Sequence, residues 1–165
     1  MKSVLFVCLG NICRSPSAEA VFNEQIKKKG LSGFFRCDSA GLAGYHVGDP
    51  ADRRMQCHAL RRGYRLNSIA RKFRPETDFE AYDYIVGMDE ENIEALKDLA
   101  SSREELDRIY RITDFCSAGG HDSVPDPYYG GPDGFELVLD ILEDACEGLL
   151  NEVMGNGSTF YSNSI

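Results

Sequence analysis

Cys8 closes the apolar run at the N-terminus, and Arg14 follows after five residues in CLGNICRSPSAE, residues 8–19. A thiol and a guanidinium at that spacing, joined by a loop containing Gly10 and Asn11, can hold a dianion and attack it. Gly10 and Asn11 are the residue types that most easily take positive φ angles and turn successive backbone N–H groups inward. If a strand ends at Cys8 and a helix starts near Arg14, those groups sit at the positive end of a helix dipole, a ready anion site. The planar fork of Arg14 binds two phosphate oxygens together, which lysine does less well. The same field favours the Cys8 thiolate over the thiol and lowers its pKa from the free value of about 8.5. Ser15 is placed to donate a hydrogen bond to that sulfur and stabilise it as a leaving group. The loop has neither a Gly-Lys-Ser/Thr ending nor a GxGxxG run, so neither nucleotide motif applies.

The elements that must position this loop are legible around it. Residues 2–7 form an apolar run without helical period, which suits a strand buried on both faces. From Ser15 onward Ala18, Val21, Phe22, Gln25 and Ile26 recur at helical spacing, Pro16 suits the first turn, and Gly30 follows the lysine run at the end. Residues 34–39 read as a second strand, and a glycine-rich loop leads to a helix over about 51–62. Residues 82–88 read as a third strand, followed by DEENIEALKDLA with acidic residues at a helix N-terminus. Residues 108–112 make a fourth strand, and 114–132 a loop. Phe135, Val138, Leu139, Leu142, Cys146, Leu149 and Leu150 then mark an amphipathic helix over about 134–153. Strands alternating with helices imply an α/β fold with a parallel sheet covered on both faces by right-handed crossovers. Ligands in such sheets bind beyond the carboxyl ends of strands, the place that Cys8 to Arg14 occupies.

No internal repeat or linker divides the chain, so a single domain is expected over residues 1–154, with a loosely ordered tail over 155–165. A length of 165 residues is enough for one core. The formal charge of −9 argues against nucleic acid as a partner. No apolar run reaches membrane-spanning length, and the N-terminus is a poor secretory signal. Arg61 to Arg74 carries a local positive excess, read as solvated surface with no role in the site. The six cysteines lack the spacing of a disulfide framework, which points to reduced thiols in a cytoplasm. Cys8 and Cys13 are not a CxxC pair, and His46, His58 and His121 are not at zinc-ligand spacing, so no metal is expected.

CLGNICRSPSAE resembles the active-site signature of the low-molecular-weight protein tyrosine phosphatases, and VPDPYYGG, residues 124–131, resembles the family's second motif. DSAG at 38–41, YDYIVGMDEEN at 82–92 and the final FELVLDILEDACEGLL are also similar to the family. The resemblance implies a three-layer α/β/α fold with four parallel strands in the order 2-1-3-4, the active-site loop after the first strand, and no metal or organic cofactor. It implies hydrolysis of phosphotyrosine through a phosphocysteine on Cys8, with phosphate held by Arg14 and the loop Leu9, Gly10, Asn11, Ile12 and Cys13. Asp126 becomes the general acid that protonates a leaving phenol of pKa about 10, a contribution typically worth 10²- to 10⁴-fold. Without the resemblance, Asp126-Pro127 reads as ordinary turn chemistry. Asn11 is expected to hold the loop's shape, supported by Ser15 and Ser39. Ile12, Tyr45, Tyr128 and Tyr129 match positions lining the mouth of the pocket, where apolar and aromatic walls bury a flat ring. Cys13 is near enough along the loop to capture oxidised Cys8 as a disulfide, and Cys37, Cys57, Cys116 and Cys146 read as packing thiols. This chain has Ser68 where many relatives have histidine, which leaves part of the loop's support unassigned. The implied partners are a tyrosine-phosphorylated protein, a tyrosine kinase among the candidates, and inorganic phosphate as product, with a monomer favoured and no membrane.

Three rivals share parts of this pattern. A thiol-coupled arsenate reductase needs a further cysteine pair after the third strand, and no cysteine lies between Cys57 and Cys116. Protein arginine phosphatases resemble the chain but carry threonine at the position of Ile12. A non-catalytic phosphate-binding module needs neither the Cys8 thiolate nor the Asp126 acid.

Overall fold

The computed structural model describes residues 1–117, 120–128 and 130–156. Four strands, β1 (Lys2–Cys8), β2 (Phe35–Gly41), β3 (Tyr84–Gly87) and β4 (Ile109–Arg111), form one parallel sheet in the order β2-β1-β3-β4. This is the expected 2-1-3-4 order. β1 is central, and Ser3 to Cys8 are all buried, which explains why its sequence shows no alternation.

Two cores flank the sheet. Val4 and Phe6 of β1 face α1 (Arg14–Lys28), α2 (Arg53–Arg61) and α6 (Pro132–Asn156), where Phe22, Met55, Phe135, Leu142 and Leu149 are buried. Phe6 and Phe22 meet edge to face with centroids 5.6 Å apart, and burial of each such ring contributes roughly 2–3 kcal/mol. Leu5 and Val7 point the other way, onto Phe79 of α3 (Pro75–Ala81) and Leu96 of α4 (Glu90–Leu99). β1 alternation across the sheet therefore feeds both cores while its carboxyl end delivers Cys8 to the edge of the layers.

The helices follow local chemistry. α1 carries Pro16 in its first turn and Lys27 and Lys28 in its last, with Gly30 at φ 69° just beyond. Asp52 caps α2 by accepting from the N–H groups of Arg54 and Met55, and Asp89 caps α4 through Asn92 N–H. α3, α5 (Arg103–Leu106) and a 3-10 turn over Ile112–Phe115 have no counterpart in the sequence reading. They are too short to display a period, and α3 is held by short-range polar contacts that no motif announces: the buried Asp78 carboxylate accepts from Arg74 N–H at 2.7 Å and from the Arg71 guanidinium. The last helix runs through Asn156, so residues 155 and 156 continue it, and 157–165 lie outside the described residues. All six cysteines are free, and Cys57 is exposed, which corrects its reading as a packing thiol. Among the described residues no helix is long and apolar enough to cross a membrane.

Candidate active site

The loop after β1 folds back over its own strand because one residue takes an unusual backbone. Asn11 has φ 58°, which an asparagine tolerates better than most side chains. That conformation turns the Asn11 N–H toward the strand end, where it donates to Cys8 Sγ at 3.3 Å. Gly10, expected to share the positive φ, does not take one. Its small size leaves room for the His46 ring, which a Cβ there would approach to 3.1 Å. Gly41, paired with Cys8 in the sheet, is needed for the same reason: a Cβ would meet Leu9 O at 3.0 Å and Asn11 Cβ at 3.1 Å.

The Asn11 side chain is fully engaged. Its Nδ2 donates to Ser15 Oγ at 2.8 Å and Ser39 Oγ at 3.0 Å, while its Oδ1 accepts from the Arg71 backbone N–H at 3.0 Å. The support left unassigned at Ser68 is thus supplied in part by the backbone of Arg71, inside the segment read as solvated surface. Ser15 Oγ lies 3.0 Å from Cys8 Sγ. That hydroxyl accepts from Asn11 and also lies 3.5 Å from Ala40 O, so the sulfur competes with that carbonyl for its proton. Ser39 passes the chain inward, donating to Glu19 Oε1 at 2.6 Å. Burial pushes the Glu19 carboxyl up to about 7, with Asp38 reinforcing the rise and Ser39 and Arg71 opposing it.

Arg14 opens α1 and is almost wholly buried. It donates to Asp89 Oδ2 at 2.5 Å and to Val124 O at 3.1 Å, and stands 3.6 Å from Asp126 Oδ2. Burial works against its charge, but Cys8, Asp89 and Asp126 outweigh burial and raise its pKa. Asp89, at the carboxyl end of β3, went unassigned in the sequence; an acidic residue just past a parallel strand and capping a helix was the available signal. Asp126 Oδ1 accepts from Tyr128 N–H at 3.0 Å, so the Asp-Pro turn is real and the same carboxylate also faces the guanidinium.

These residues enclose a cavity of about 110 Å³. Cys8, Cys13, Arg14 and Asp126 line it together with Leu9, Gly10 and Ile12, and Tyr45 and Tyr128 stand at its rim with His46, which the sequence reading did not select. Tyr45 is 80% exposed, whereas Ile12 is buried. Burial, Asp52, Cys8 and Asp126 push the Cys13 thiol up, which favours a neutral thiol within the loop. Tyr129 lies outside the described residues. A larger cavity of about 580 Å³ lies on the far side of Asp89, lined by Glu90, Glu91, Asp114 and Asp122 with Arg111 and His121. Its acidic lining repels a phosphate dianion, so the smaller cavity is the candidate site.

Comparison with known proteins gives the same direction. The model of the low molecular weight phosphotyrosine protein phosphatase family matches residues 3–159. The low molecular weight protein-tyrosine-phosphatase YfkJ of Bacillus subtilis is 42% identical over 153 residues, spanning 93% of this chain and 96% of the relative. A crystal structure of a protein tyrosine phosphatase from Entamoeba histolytica superposes with a TM-score of 0.92 at 44% identity, covering 95% of this chain and 99% of that one. A Drosophila arginine phosphatase superposes with a TM-score of 0.85 at 31% identity, covering 93% and 98%. With a family match over nearly its whole length and a shared four-stranded topology, this chain belongs to the low molecular weight phosphotyrosine protein phosphatases.

Proposed function

We propose that the protein hydrolyses phosphotyrosine in phosphoproteins in two steps on Cys8. The observation that carries this reading is the Cys8 sulfur at a small cavity, receiving the Asn11 N–H and facing Ser15, with Arg14 and Asp126 lining the same cavity. In the first step the thiolate attacks phosphorus, the P–O bond to the phenol breaks, and Asp126 gives its proton to the departing oxygen. In the second, water attacks phosphorus, Asp126 takes its proton, and the P–S bond breaks to return the thiolate, which Ser15 stabilises. Inorganic phosphate leaves. The N–H groups of the first turn of α1 have no acceptor within the helix, and with Arg14 they track the equatorial oxygens through both transition states.

Ile12, Tyr45 and Tyr128 would wall the ring of the substrate, and Tyr129 belongs to the same segment. Ile12 favours an aromatic ring over a phosphoarginine side chain, because a buried aliphatic wall offers nothing to a guanidinium. Cys13 at the same cavity is the partner for a protective disulfide when Cys8 is oxidised. Six free thiols fit a cytoplasmic protein, working as a monomer on phosphoproteins such as an autophosphorylated tyrosine kinase.

The test is hydrolysis of aryl phosphates without added metal. Wild type is expected to turn over, Cys8→Ser to be inactive, and Asp126→Ala to be slower by roughly 10²-fold or more on esters of basic phenols. Arg14→Lys keeps the charge but loses the fork and is expected to fall comparably. Full activity of Cys8→Ser would overturn the mechanism.

A further inference from the structure

Asp126 stands 3.6 Å from Arg14, too far for a hydrogen bond to fix it, so its place depends on the backbone that carries it. Upstream, that backbone is anchored at Val124, whose N–H donates to Met88 O at 2.9 Å and whose carbonyl accepts from Arg14. Downstream, the anchor is Arg54, near the start of α2. Its guanidinium donates to Tyr128 O at 3.0 Å, and Tyr128 N–H in turn holds Asp126 Oδ1.

Arg54 is itself held by the phosphate loop's neighbour. Its Nε donates to Asp52 Oδ1 at 3.2 Å and its terminal nitrogen to Asp52 Oδ2 at 3.0 Å, a two-point grip on a largely buried carboxylate. The Asp52 backbone N–H donates to Ile12 O at 2.8 Å. Burial works against the Asp52 charge, but Arg54 and the capping N–H groups outweigh it and hold the carboxyl below its ordinary value. The guanidinium also lies over the rings of Tyr128, at 5.4 Å, and Phe135, at 5.0 Å. A continuous path therefore runs from Ile12 through Asp52, Arg54 and Tyr128 to Asp126. An exposed Arg-Asp pair two residues apart contributes little alone; the bond to Tyr128, 74 residues away, makes this one different.

We propose that Arg54 is a positioning residue for the general acid, holding the 126–128 segment at a set distance from the Cys8 loop. This rests on the reading of Asp126 as that acid. Any effect of Arg54 on ring binding through Tyr128 bears equally on all aryl esters, so its effect through Asp126 is read where proton donation matters.

Leaving-group dependence reads this out. kcat/KM is measured for wild type, Asp126→Ala, Arg54→Ala and Arg54→Met with phenyl phosphate and with p-nitrophenyl phosphate, whose phenolate is a much weaker base. Methionine keeps an unbranched stem over the two rings and removes the donors, so it separates packing from hydrogen bonding if the alanine variant folds poorly. Arg54→Met is expected to lose about 10-fold or more on phenyl phosphate, since a displacement of roughly 1 Å can cost about 10²-fold, and less than about 3-fold on the nitrophenyl ester. Arg54→Lys, able to reach Tyr128 O with one donor, recovers part of the loss. Equal losses on both esters, or none in a folded variant, would overturn the proposal and leave Arg54 an ordinary ion pair. If Asp126→Ala leaves the leaving-group dependence unchanged, the acid assignment and this inference fail together, whereas an altered Asp126→Ala beside an unaltered Arg54→Met sinks only the inference.

Discussion

Asn11 ties three parts of the chain to one side chain, reaching Ser15 on α1, Ser39 on β2 and Arg71 in the loop before α3. Behind it Glu19 ends the chain of hydrogen bonds, with Ser39 as its donor and Asp38 and Arg71 as the charges that face it. The folded carboxyl titrates near 7, above the ordinary value of 4.5. As pH rises, the unfolded chain therefore loses this proton first. The folded state's advantage is complete below about 4.5, falls as pH rises, and is gone once pH passes the folded value near 7. Urea unfolding of wild type and Glu19→Gln at pH 5 and pH 8 checks this. Wild type should lose on the order of 3 kcal/mol more than the glutamine variant across that interval. Identical pH dependence of the two proteins would show that Glu19 stays ionised throughout.

At the scale of elements, the contact of α6 with the 3-10 turn Ile112–Phe115 depends on Gly148. A Cβ at that position would stand 1.8 Å from Phe115 O. In an exposed helix interior, glycine to alanine stabilises by roughly 1 kcal/mol. Here the methyl must push α6 off the turn or bend the turn away, an overpacking cost of about 1–3 kcal/mol. Gly148→Ala is therefore expected to lower the melting temperature, against its helix propensity; an unchanged or higher value would mean that the helix shifts freely. The same helix is bound to the end of α2, where Arg62 pairs with Glu136, Asp140 and Glu143. Burial and the Glu143 carboxylate push the Tyr64 phenol beside them up to about 12.

For the whole molecule, a net charge of −9 surrounds the site proposed to take a phosphate dianion. The cradle is positive only locally, and the acidic cavity beyond Asp89 adjoins it. Substrate approach is thus subject to two opposed fields, with the long-range one screened over about 8 Å at physiological salt. Phosphotyrosyl peptides with acidic flanks should show kcat/KM rising several-fold between roughly 0.01 and 0.15 M salt, and peptides with basic flanks should show it falling. Stopped assays at matched pH measure both series; parallel responses would mean that the surface charge does not steer substrate.

The signals that could be read along the chain were local ones. The apolar run of β1, the periods of α1 and α6, and the cluster from Cys8 to Ser15 each act within a few residues, through sterics, helix spacing and backbone dipoles. Read alone, the sequence carried the class of fold and the strand-loop-helix context of Cys8 and Arg14. Asp126 resembles a turn residue without the family motif around it, and the sequence offers Gly10 as well as Asn11 for the positive φ. Tertiary structure alone decided what sets the site's geometry. Asp89 meets Arg14 across 75 residues, the Arg71 N–H meets Asn11 across 60, and Arg54 meets Tyr128 across 74. Such partners share no period or motif. They are chosen by which loops the parallel sheet brings to the carboxyl ends of β1, β2 and β3, and that follows from burying two apolar faces at once.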